Sequence, residues 1–281
     1  MSPIHDQSYR HYEGTRQPPG RGWAVIAWTG LAGFLAKRVF LAVMLIAWVP
    51  FIVRAVQIYV VTMYPTIGQA APVNVKMFQD FLEQQGLFVY FVAVYVGAGL
   101  IANDRRANAL QIYLAKPLLR IEYIGGKLAV LIVYLLEVTL LPGLLLIVLQ
   151  VMFSGSFEFL RANAFVIPAV TLAALVRVVV ASCTMLALSS LSKSGRYVAV
   201  MYTGAIFFSS AVFGVLRAIT GSTRMAWISI TANVEQVTDA IFRQSPRYET
   251  PVVVCALVLL GLVVLSISVL ERRVRGVEVV E

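Results

Sequence analysis

Three charged residues lie inside long apolar runs of the 281-residue chain: Arg54, Glu137 and Arg177. A charge at the centre of a bilayer costs at least about 2.5–3.5 kcal/mol, so such residues pair, snorkel or face a polar cavity. Glu137 can neutralise either arginine between helices, relay a proton, or line a substrate path with them. Arg54 sits near the outer end of its run, where a long side chain can snorkel. The chemistry on offer is therefore ion pairing, proton relay or ligand binding. Hydrolytic chemistry finds no constellation. The two histidines, His5 and His11, belong to the polar N-terminal tail, and H-E-x-x-H does not occur. Asp80, Asp104 and Asp239 read as loop residues, so no aspartate pair faces itself across neighbouring spans. Cys183 and Cys255 fall in apolar runs without metal-ligand spacing, where thiols are inert. No catalytic residue, no metal site and no cofactor bound by this chain is expected.

A second constellation interrupts the oil. Residues 103–127 read NDRRANALQIYLAKPLLRIEYIGGK. Asp104 suits a helix N-cap. Ala107, Leu110 and Leu114 follow at helical spacing with Tyr113 beside them, and Arg105, Asn108, Gln111 and Lys116 take the wetter side. Pro117 disfavours helix for Lys116 and stops the turn. The chain then re-enters apolar sequence through Ile124, Gly125, Gly126 and Lys127. A plain helix–helix connection needs about 2–8 residues. The excess fits either a short helix floating on lipid headgroups or a docking surface.

The elements that would position these residues follow from composition. The chain is 59% hydrophobic and only 13% charged, whereas soluble domains carry about 25% charged residues. Six runs are long enough to cross a bilayer as helices: approximately 39–62, 86–102, 124–151, 164–191, 197–216 and 251–270. Pro50, Pro142 and Pro168 should kink or start helices rather than abolish them. The fold class is thus all-α, a polytopic membrane protein. The net charge of +9 sits in short loops beside the spans, so it reports topology rather than nucleic-acid binding. Lysines and arginines gather on the side that holds the N-terminus, which places both termini in the cytoplasm. The four arginines of the last outer loop, Arg217, Arg224, Arg243 and Arg247, run against that trend.

Residues 1–38 comprise a polar tail and an apolar stretch, 22–38, too short to span. Trp23, Trp28, Lys37 and Arg38 suit a helix lying in the inner interface. A signal peptide is the competing reading, but Lys37 and Arg38 stand where a cleavage site needs small residues. In the outer loop 217–250, Trp227, Ile230, Val234, Val237 and Ile241 recur at helical spacing, with Glu235 and Asp239 opposite. That predicts an amphipathic helix on the outer surface. Gly97 and Gly99 in the second span, and Gly204 and Gly214 in the fifth, permit close helix packing or a dimer seam. Tyr90, Tyr95, Tyr134, Phe207 and Phe208 suit core, lipid contact or an apolar path. Residues 271–281 form a basic tail.

The stretch 106–127 resembles the first cytoplasmic loop of type-2, exporter-like ABC-transporter permeases. Ala109, Leu110, Leu114, Pro117, Leu118, Arg120, Tyr123, Gly126 and Lys127 carry the likeness. Asn108 and Ala109 stand where many relatives have glycine, and Leu119 where they have serine or threonine. The tail LERRVRGVEVVE is similar to that of one branch of the family. The resemblance implies that 103–123 is a coupling helix seated in a separate ATPase subunit, with Asp104, Arg105, Arg106, Leu110, Tyr113, Leu114, Pro117 and Arg120 at the contact. It further implies two ATPase subunits holding ATP and magnesium, a second permease chain (identical or paralogous), and a home in the inner membrane. The chain itself has no G-x-x-x-x-G-K-[ST] stretch, since Gly126-Lys127 is followed by Leu128. Two other readings remain open: a proton-coupled secondary transporter using Glu137, and a non-transporting anchor or scaffold.

Overall fold

The computed structural model describes residues 21–64, 73–109 and 119–274. Leu110, Tyr113, Leu114 and Pro117 of the expected coupling helix lie outside these, as do the N-terminal tail through residue 20 and the last seven residues. Among the described residues every regular element is a helix. Six helices are long and apolar enough to cross a membrane: Arg38–Met63, Val75–Arg106, Arg120–Ser154, Val166–Leu191, Gly195–Thr220 and Val252–Arg273. The protein is a multi-pass, all-α membrane protein. "Inner" below means the face from which the first span starts, and "outer" the opposite face.

The second, third and fourth spans form the centre. In their most apolar windows 56% of residues are buried, against 17% in the first, fifth and sixth. The three peripheral spans keep large apolar faces that only lipid or another apolar surface can cover. The prolines behave as their chemistry requires. Pro50 follows the turn at Trp48 that divides the first span, Pro168 stands in the first turn of the fourth, and Pro142 lies inside the third.

The second span and the entry helix differ from the sequence reading. The second span begins eleven residues before its apolar run. Asn74 caps it by accepting a hydrogen bond from the Met77 amide at 3.0 Å. Its first three turns carry Gln79 and Gln85, neither more than 3% exposed. A helix can be polar there because that face meets protein, not lipid. Asp80 is consequently helical, and so are Asp104 and Asp239, contrary to their reading as loop residues. The entry helix, Gly22–Leu35, is present, but its orientation departs from a helix laid flat. Gly126 meets the Trp23 carbonyl and Ile26, Gly30 meets Val130, and Tyr134 donates to the Leu31 carbonyl at 2.6 Å. Contacts that advance together along both helices mean that the two run side by side in the same direction. The cause is compositional: no residue from 22 to 35 is charged, so the helix has no strongly polar face to keep in the headgroup plane.

At the inner face the second span is broken. Ala93–Gly97 is a π-helical turn, followed by irregular turns up to Ala102. Ser189 of the fourth span closes the gap. Its hydroxyl donates to the Ala98 carbonyl at 3.0 Å and accepts from the Ile101 and Ala102 amides at 3.1 Å. Gly97 allows this approach, since a Cβ there would press on Met185 and Leu131.

Candidate functional site

The outer half of the molecule holds a cluster of charges that no single stretch of sequence displays. The outer helix, Ile230–Ile241, starts at Ser229, whose side chain accepts from the Ala232 amide. Val234 packs with Val180 of the fourth span and Leu259 of the sixth. The helix is therefore sunk among the spans rather than lying on the outer surface. Its polar side faces inward too, and Asp239 is only 2% exposed. The chain turns back beyond residue 241 and delivers Arg247 to that side.

Arg247 binds three carboxylates. It donates to Asp239 at 2.6 and 2.8 Å and to both oxygens of Glu83, and it lies 3.7 Å from Glu235. Gln79 donates to both Asp239 and Glu83. The Asp239 hydrogen bonds, with Glu83 adding to them against the cost of burial, hold the Arg247 guanidinium above its already high ordinary value. Tyr248 donates to Glu235 at 2.7 Å. Burial, and then that hydrogen bond, push its hydroxyl above the usual tyrosine range.

Beneath this cluster lies a cavity of about 380 Å³. The second, fourth and fifth spans and the outer helix enclose it. Arg177, Glu83 and Glu235 supply its charges. Tyr90, Tyr202 and Phe207 supply an aromatic wall, in which Tyr90 stacks on Tyr202 with ring centroids 6.0 Å apart and meets Phe207 edge-on at 5.7 Å. Arg177 makes no hydrogen bond or ion pair to any described residue. Gly86 makes room for it, since a Cβ at that position would collide with the Arg177 guanidinium.

The three intramembrane charges therefore part company. Neither Arg54 nor Arg177 pairs with Glu137, against the expectation from sequence. Arg54 donates to Gln57 on its own helix at 2.8 Å. Glu137 is half-buried, makes no ion pair or hydrogen bond among the described residues, and does not line the cavity. The carboxylates that line the cavity with Arg177 are Glu83 and Glu235. The sequence reading missed both because it set them outside the membrane. The signal was present: Gln79, Glu83, Gly86 and Tyr90 recur every three or four residues behind a capping asparagine, the pattern of one helix face.

The glycines divide similarly. Gly97 packs against the third and fourth spans, and Gly99 faces Gly195 at the start of the fifth. A Cβ added at Gly204 or Gly214 would meet no described atom within 4 Å, and both glycines are exposed. Tyr95 and Tyr134 belong to an aromatic core with Phe34 and Phe40.

The inner face holds the second candidate region, the stem of the 103–123 loop. Asp104 does not cap a helix. It lies within the short helix Ala102–Arg106, where Lys127 approaches it at 2.7 Å and the Tyr123 hydroxyl donates to it at 2.7 Å. The third span starts at Arg120, so Gly126 and Lys127 are already helical and within reach of this stem. Arg105 donates to the Ser190 carbonyl of the fourth span. Arg106 and Arg120 flank the part of the loop outside the described residues. Leu119 is the N-cap of the third span. Glu122, three residues on, accepts from its amide at 3.1 Å in place of a capping side chain at Leu119.

No family model matches this chain, and no curated protein matches its sequence.

Proposed function

We propose that this chain is the membrane permease subunit of an ATP-driven exporter of the ABC type. Two such chains, identical or paralogous, would work with two separate ATPase subunits that hold ATP and magnesium. The observation that carries the reading is the stem of the inner loop. Asp104 ties it to the third span through Lys127 and Tyr123, and Arg105 and Ser189 tie it to the fourth. A push on residues 103–123 is thereby delivered to the three central spans together rather than absorbed by a slack connection. Alternating access then needs rigid-body motion of those spans around the Arg177 cavity. The resemblance of residues 106–127 to the coupling loop of such permeases supports the same assignment. A cytoplasmic membrane with both termini inside belongs to this proposal.

The test is ATP-dependent transport by the purified assembly. Leu110→Arg or Leu114→Arg should leave the permease folded but lower substrate-stimulated ATP hydrolysis and transport by about tenfold or more, the loss of roughly 1.4 kcal/mol of coupling. Untouched coupling would overturn the docking role. A second reading, proton-coupled transport, rests on Glu137, which makes no ion pair with a described residue. Under it Glu137→Gln abolishes transport, while depleting ATP at constant ion gradient does not. The separation of Glu137 from the cavity favours the ATP-driven reading.

A further inference from the structure

We propose that the cavity between the second, fourth and fifth spans and the outer helix binds a zwitterionic amphiphile, its anionic group on Arg177 and its cationic group on Glu235. This names the substrate class of the site through which the permease reading routes transport, and it rests on that reading for the word substrate.

Two requirements select the ligand. The first is set by Arg177, whose guanidinium carries five N–H donors and no acceptor of its own. It borders the cavity and donates to no described residue. An unsatisfied buried cation is costly, and an anionic oxygen is its strongest partner. The second is set by the sum of charges. The groups that line the cavity or pair with its carboxylates, Arg177 and Arg247 against Glu83, Glu235 and Asp239, sum to one negative charge in excess; Arg217, which faces Tyr248, lies outside this set. Glu83 is saturated by Arg247 and Gln79. Glu235 is engaged through one oxygen only, by Tyr248 and more distantly by Arg247, which leaves the other oxygen without a partner among the described residues.

A simple anion would answer Arg177 but deepen the excess. A simple cation would correct the excess and leave Arg177 unanswered. A ligand bearing both charges does neither harm and adds no net charge to a low-dielectric site. Its body must be apolar, because the remaining wall is aromatic and aliphatic. The volume of about 380 Å³ falls in the range of ~300–1,000 Å³ usual for small-molecule sites. Leu87 and Phe207 line the cavity and are 55% and 57% exposed. The mouth therefore opens sideways between the second and fifth spans, where a hydrocarbon chain can stay in the bilayer while its head enters.

The experiment measures binding to the purified full chain in detergent micelles, apart from any ATPase. Four probes are compared: myristoyl lysophosphatidylethanolamine (zwitterionic), myristoyl lysophosphatidylglycerol (anionic), tetradecyltrimethylammonium (cationic) and glycerophosphoethanolamine (the head without a chain). The zwitterionic amphiphile should bind about tenfold tighter than each of the others, as expected for one uncompensated charge or one lost charge-assisted contact. Arg177→Gln should cost about tenfold for the zwitterion and abolish its advantage over the cation. Glu235→Gln should abolish its advantage over the anion. Should Arg177→Gln fail to fold, Gly86→Ala gives the same result by pushing the guanidinium out of place. Equal affinity for the three amphiphiles, a preference for the anion or cation alone, or tight binding of the chainless head overturns the proposal. Unchanged affinity in both Arg177→Gln and Gly86→Ala does the same. Failure here with Leu110→Arg still uncoupling ATP hydrolysis removes the ligand and leaves the permease. Success here with coupling untouched leaves the site and removes the motor.

Discussion

Arg247 is where a single side chain does most to hold the outer half together. It reaches Glu83 from the second span, and Glu235 and Asp239 from the outer helix, so it fastens a loop and a buried helix to the central bundle. The side chain of its partner Asp239 is 3% exposed, whereas that of Arg247 is 32% exposed. Breaking a buried pair costs about 3–5 kcal/mol, chiefly through the charge left behind. For Arg247→Ala the lower end applies, roughly 3 kcal/mol, because water can reach the vacated position. Arg247→Lys should recover little, since an ammonium cannot span three carboxylates as the planar fork does. Thermal unfolding midpoints of the wild type and both variants check this, and an unchanged midpoint in Arg247→Ala would contradict it.

The second span shows what one helix can do when its regularity fails at one end and its apolarity at the other. At the inner end the π turn frees backbone groups that Ser189, fully buried, satisfies three at a time. Ser189→Ala strands the Ala98 carbonyl and two amides, and each unsatisfied buried group costs about 1–3 kcal/mol. The effect should stay local. Hydrogen exchange over residues 97–106 should accelerate by about tenfold or more, while the outer cluster exchanges as before. Uniform acceleration would mean that the stitch supports the whole fold and not a hinge. At the outer end the polar face of residues 75–86 explains the limits of the sequence reading. Six spans were legible because runs of apolar side chains announce themselves without reference to any neighbour. Glu83 was not, because a charged helix turn reads as loop until another element is known to cover it. The outer helix repeats the lesson: its period was legible, but Asp239 faces protein rather than water, and only Arg247, eight residues on and outside the helical repeat, accounts for that. Arg177 was legible as a site and its partners were not, because Glu137 looked nearer in kind than Glu83 and Glu235 looked in sequence.

At the scale of the molecule the question is which face meets the cytoplasm. The basic residues of the inner segments outnumber those outside, but four arginines in the last outer loop weaken the count. Three of the four do not act as free charges. Arg247 is internal and outnumbered by carboxylates, Arg224 lies 3.2 Å from Glu249, and Arg243 stands over the Phe165 ring at 4.5 Å. Arg217 occupies the last turn of the fifth span, where a cation complements the helix dipole. The rule counts lysines and arginines near span ends and gives acidic partners little weight, and with all four counted the inner segments still carry the larger number. Arg161, between the third and fourth spans, should therefore lie outside, and Lys193, between the fourth and fifth, inside. Both are exposed, and the native Cys183 and Cys255 are buried and give little background. In intact cells a membrane-impermeant maleimide should label Arg161→Cys at once and Lys193→Cys only after permeabilisation. The reverse pattern would put the 103–123 loop and its Asp104–Lys127 stem on the far side from ATP, and no ATP-hydrolysing subunit could then act through it.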